Sequence, residues 1–135
     1  MHIQHAGLET TWKQELGERH YCQVFIWDTS ESLWKAFDKH DYLRREHDYC
    51  GRCTGSIWIK RNGKHITAPK FSEIHLVRNE IGAGYVAHEI QHLVNYWSHF
   101  MNWKRTKNDE KIAHFCGEFT RDFWVNFYDR YSHAS

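Results

Sequence analysis

The stretch YVAHEIQHLVNYW, Tyr85–Trp97, decides how this chain is read. Stepping 100° per residue from His88 puts Val86, Ile90, Leu93, Val94 and Trp97 between about 140° and 240°. They form one apolar stripe, so the stretch predicts a helix buried along one side. His92 falls at about 40° and His99 at about 20°, opposite the stripe. Glu89 lies about 100° round from His88, to the side of the histidine row. Asn79 is the expected N-cap, with Gly82 and Gly84 loosening the first turn.

The elements around this helix follow from periodicity. QVFIWD (Gln23–Asp28) is rich in β-branched and aromatic residues and predicts a strand. SESLWKAFDKH follows, with Leu33, Trp34 and Phe37 at helical spacing and Ser30 or Ser32 as N-cap. SIWIKRNGKHITA is two short apolar runs about Asn62-Gly63, a hairpin signal. FSEIHLV (Phe71–Val77) predicts another strand. After the polar stretch KRTKND comes a last long helix. Its apolar stripe is Ile112, Cys116, Phe119, Phe123, Phe127 and Tyr131, with Glu110, His114, Gly117 and Arg121 on the opposite face. The order strand, helix, hairpin, strand, helix, helix is an α+β pattern.

Composition narrows the function classes. The 135 residues fit one domain, and 41% hydrophobic with 16% aromatic content is enough for a packed core. The 18 basic and 17 acidic residues balance to +1, so no global field directs the chain to nucleic acid or membrane. No apolar run has the length of a membrane span, and the N-terminus lacks the apolar core of a secretory signal. A cytoplasmic location is therefore expected, with the four cysteines as thiols or metal ligands rather than disulfides.

His88-Glu89-Ile90-Gln91-His92 is an H-E-x-x-H pattern. Twelve histidines make a chance match cheap, so the helix phase has to decide. Two histidines four apart on a helix point the same way and can grip one zinc ion, while the glutamate beside the first reaches water without binding the metal. A catalytic zinc has three protein ligands and an open position. Glu110 is the expected third ligand and Glu118 its main rival, with His99 and His114 also available. His114 could orient Glu110 or stabilise an oxyanion, and Gly117 would permit close helix approach. Tyr85, Tyr96, His99, His114 and Tyr131 are all oxyanion candidates, and the sequence does not choose among them.

YVAHEIQHLVNYW followed by DEKIAHFCGEF resembles the gluzincin arrangement of H-E-x-x-H plus a downstream glutamate. Among small cytosolic forms it is similar to ImmA/IrrE-type peptidases over about residues 70 to 125, with Glu110, Ala113 and Gly117-Glu118-Phe119 in matching order. The LLMP ending of that family is replaced by FTRDFW, the spacing after His92 is shorter, and no DNA-binding domain accompanies it. The zinc ribbon of SprT-like proteases is also absent, and small phage-encoded proteins are another home for such a chain. The resemblance implies a minimal zincin-like domain over residues 1–135, with an active-site helix and a long C-terminal helix. It implies a zinc metallopeptidase acting on a protein or peptide, with Glu89 as general base. The alternatives are a catalytically silent zinc-binding module and a zinc-free interaction protein.

HDYCGRC places His47, Cys50 and Cys53 at three-residue spacing, a possible second metal clip. A closed structural zinc needs four ligands, and Cys22, His40 or His20 would have to supply the fourth. A redox pair wants a helix N-terminus after it, whereas TGSIWI predicts a strand. Free thiols are the expectation. YLRREH and NWKRTK read as solvated helix ends, and Trp58, Trp97 and Trp124 as core.

Overall fold

The structure is a computed structural model that describes residues 6–38, 51–54, 58–61 and 64–132, with side chains for residues 6–36 and 68–132. Strand β1 (Leu8–Gly17) turns back into β2 (His20–Trp27), and the two pair antiparallel. Helix α1 (Ser30–Asp38) follows, then β3 (Gly51–Thr54) and the antiparallel pair β4 (Trp58–Arg61) and β5 (Lys64–Thr67). Strand β6 (Lys70–Val77) runs parallel to β2 and antiparallel to β3. One mixed sheet therefore has the order β1-β2-β6-β3, with β4-β5 as a separate two-stranded sheet. Helices α2 (Ala83–Phe100) and α3 (Arg105–Tyr131) complete an α+β fold.

The two faces of the four-stranded sheet carry different cores. On one, Trp12, Val24, Ile26, Ile74 and Leu76 meet Ile90, Leu93 and Trp97 of α2 and Phe119 and Phe123 of α3. On the other, Trp27 and Val77 pack with Leu33 of α1. Alternation along β2 and β6 makes this possible, because successive side chains point to opposite faces. QVFIW and FSEIHLV are legible from their β-branched and aromatic content.

Strands β1 and β3 are additions to the sequence reading. LETTWKQELG does alternate, with Trp12 and Gln14 buried between exposed Lys13 and Glu15. Its turn hides the signal. Glu18 and Arg19 form a two-residue connection with positive φ of 49° and 66°, where Asn-Gly would be the usual pair. The expected hairpin about Asn62-Gly63 is present as β4 and β5, with the turn itself outside the described residues.

Three expected helix details are corrected. Thr29, not Ser30 or Ser32, begins α1: its Oγ1 accepts from the Ser32 amide at 3.1 Å. Gly82, not Asn79, is the N-cap of α2, because Asn79 is taken up in a 3₁₀ turn over Arg78–Glu80. Gly117 makes no close approach, since a Cβ there would meet nothing within 4 Å.

The end of α2 is tightly determined. Asn102 takes the left-handed conformation at φ 57°. Its amide donates to the His99 carbonyl at 3.1 Å, and the Trp103 amide donates to the Ser98 carbonyl at 2.8 Å. This is the paired closure of a Schellman turn, with asparagine where glycine is commonest. It reverses the chain within four residues and lays the start of α3 against α2. The backbone of α3 then departs from helical geometry at Asn108 (φ −122°, ψ 24°). The Asn108 Oδ1 accepts from the Lys104 amide at 2.8 Å and braces that first turn.

Candidate metal centre

Helix α2 presents its two sides as its periodicity requires. Val86, Ile90, Leu93, Val94 and Trp97 are at most 2% exposed, while His88, His92 and His99 are exposed. The rings of His88 and His92 stand side by side, with centroids 4.9 Å apart and planes 84° to one another. Partial burial, and then the neighbouring His88, hold His92 below the ordinary histidine pKa. A metal takes up neutral imidazole, so the shift favours the ligating form. Tyr96, one turn on, stacks on His92 at 6.4 Å between centroids.

Glu89 is 4% exposed. It sits between the histidine ridge and the apolar stripe, on the flank of the helix. Most of its surface is covered, so its carboxylate has little access to bulk water.

The other sequence candidates are distributed as follows. Glu110, His114 and Glu118 are exposed on α3. His114 Nε2 lies 3.2 Å from Glu118 Oε1, so this histidine turns to Glu118 rather than to Glu110. Among the described residues, no group of three His, Cys, Asp or Glu side chains is gathered to share an ion. The His88–His92 pair is therefore not joined by a third such side chain among those residues. Tyr131 is drawn away from the ridge. Its hydroxyl donates to Glu9 Oε1 at 2.8 Å, and burial together with that carboxylate raises its pKa. Tyr85 is half-buried and packs against the main core.

His47, Cys50 and His40 lie outside the described residues, and Cys53 is described only as backbone of β3, opposite Ile74. Cys22 and Cys116 are free thiols. Cys22 is fully buried, and that burial pushes its thiol up to about 12, away from the reactive thiolate. His20 is packed edge-on among Phe71, Trp97 and Phe100 at 5.1–6.0 Å.

One feature escaped the sequence reading. A crevice of about 470 Å³ opens between α2 and the start of α3. Gln91, Asn95 and Ser98 form its α2 wall, and Arg105 and Ile112 its α3 wall. The signal was a polar row at four- and then three-residue spacing, beside the apolar stripe. Periodicity alone reads such a row as solvated surface. Only the tight reversal at Asn102 turns it into a wall.

No protein-family model, no curated protein and no solved structure matches the chain. No helix among the described residues is long and apolar enough to cross a membrane.

Proposed function

We propose that this chain is a zinc-dependent metallopeptidase of zincin-like architecture. The observation that carries the reading is the His88–His92 pair. Two imidazoles one turn apart stand ring to ring on the exposed side of a helix whose opposite side is buried. His88 and His92 would hold the ion, which supplies Lewis acidity toward a carbonyl oxygen and acidifies water.

Glu110 is assigned as the third ligand, with Glu118 as rival. Ile112, two residues beyond Glu110, shares the crevice with Gln91 and Asn95, which flank His92 in α2. That lays the start of α3 beside α2, with Glu110 exposed about 200° round α3 from Ile112. Glu118 is already engaged by His114. Glu89 takes the proton of the attacking water and returns it to the leaving amine. Tyr96 is the favoured oxyanion donor because its ring lies against His92.

A second reading, a zinc-holding module without turnover, is favoured by the deep burial of Glu89. One experiment separates them. With zinc and unfolded casein, Glu89→Gln lowers cleavage at least 100-fold and retains one zinc per chain. His88→Ala and His92→Ala each lose the metal. Zinc uptake by the unaltered chain without cleavage selects the silent module. Loss of zinc in Glu89→Gln contradicts the role given to Glu89.

A further inference from the structure

The crevice between α2 and α3 has a chemistry of its own. Its lining includes Arg105 and no acidic residue. Arg105 makes no ion pair or hydrogen bond with any described residue, so its charge is uncommitted. The adjoining segment is basic where a helix normally is not. Lys104, Arg105 and Lys107 surround the N-terminus of α3, the first turn holds no acid, and the Lys104 side chain does not cap it. The helix dipole already makes that end positive, so the three cations add to it instead of compensating it. Asp109 and Glu110 follow in sequence, but neither lines the crevice.

Polar groups on α2 point to the same ligand. Ser98 is 9% exposed and belongs to the crevice wall, with its Oγ buried beneath that surface and without a hydrogen-bond partner among the described residues. A serine inside a helix usually bonds back to the carbonyl one turn earlier; this one does not. Asn95 accepts from Gln91 Nε2 through its Oδ1 at 3.0 Å, which leaves its own amide N–H groups for a ligand. Trp103 and Ile112 supply apolar surface beside these donors.

We propose that this crevice binds a carboxylate of the peptide substrate, either an acidic side chain or the free C-terminus, with Arg105 as counter-charge. As a substrate subsite it rests on the peptidase reading. Asn95 and His99 lie three and seven residues after His92, about 4.5 and 10.5 Å along the helix axis. An extended peptide advances roughly 3.3–3.6 Å per residue. The carboxylate is therefore one to three residues from the bond that is cleaved.

The test is fluorescence anisotropy on the full chain with EDTA present, so that binding is read without turnover. Three fluorescein-labelled octapeptides of Ala, Leu and Ser are compared. One has an internal Glu and an amidated end. The second has Gln there and an amidated end. The third has Gln and a free terminal carboxylate. At least one carboxylate peptide binds tenfold or more tightly than the amidated Gln peptide, and Arg105→Gln removes that preference. Which of the two binds identifies the source of the carboxylate. Equal binding of all three, no binding of any, or a preference that survives Arg105→Gln overturns the proposal. A chain that keeps the preference but takes up no zinc and cleaves nothing supports the carboxylate site and sinks the peptidase reading alone.

Discussion

Glu18 and Arg19 hold positive φ without the backbone freedom of glycine. Each costs about 1–2 kcal/mol against an ordinary conformation. Replacing the pair by Asn-Gly, Glu18→Asn with Arg19→Gly, raises the unfolding free energy by about 1–2 kcal/mol, read from the urea midpoint at constant slope. An unmoved midpoint would mean that the turn is not left-handed. A second residue-scale effect concerns Glu73. Burial opposes its charge, but hydrogen bonds from His75 and Lys70 and the opposite charge of Lys70 outweigh it and hold the carboxyl below its usual 4.5. Because the folded value is the lower one, this carboxylate stabilises the fold above about pH 4.5, and the contribution fades as pH falls toward 2. His75 serves this as a neutral ring: the Trp27 indole N–H donates to its Nδ1 at 3.0 Å, which leaves Nε2 to bond Glu73. Thermal melts between pH 2 and 6 check it. Glu73→Gln flattens the acid limb over that window, and an unchanged limb would place the titrating group elsewhere.

The helices show how much an element's sequence can say about itself. The stripe of α2 is buried residue for residue, because 3.6-residue periodicity puts five large apolar side chains on one arc. The stripe of α3 is less uniform. Phe119 and Phe123 are buried, while Ile112, Cys116, Phe127 and Tyr131 are only partly covered at its margins. A helix of 27 residues outruns the sheet it crosses, so its ends find less to pack against. Helix ends were the least legible. Thr29 and Gly82 displaced the expected caps because Ser30 is already inside α1 and Asn79 lies in the preceding 3₁₀ turn. The α2 terminus carries its own prediction. Asn102→Ala costs about 1 kcal/mol, since alanine resists the left-handed conformation, whereas Asn102→Gly retains full stability. Equal urea midpoints for the two variants would remove the Schellman turn as the determinant of the α2–α3 angle.

At the scale of the whole molecule, the sheet is the support on which α2 is held, with its histidine ridge outward and its opposite side sealed. Zinc bound by that ridge in the native state alone would raise stability by about 2.7 kcal/mol at one hundred times the dissociation constant. Melting with zinc and with EDTA measures it: the unaltered chain shifts upward in zinc, and a chain carrying both His88→Ala and His92→Ala does not. No shift in the unaltered chain would count against any metal reading. The sequence by itself determined the helix phase, the burial of Val86, Ile90, Leu93, Val94 and Trp97, the pairing of His88 with His92, and the α+β order of most elements. Each depends on short-range periodicity, which a single stretch carries in full. Tertiary structure decided the rest. It added β1 and β3 to the sheet, turned His114 toward Glu118, buried Glu89, and made a crevice of Asn95, Ser98 and Arg105. Those facts depend on which distant surfaces meet, and here that is set by two tight reversals, at Glu18-Arg19 and at Asn102, where non-glycine residues take the left-handed conformation and only Gly17, at φ 116° beside the first, hints at a turn.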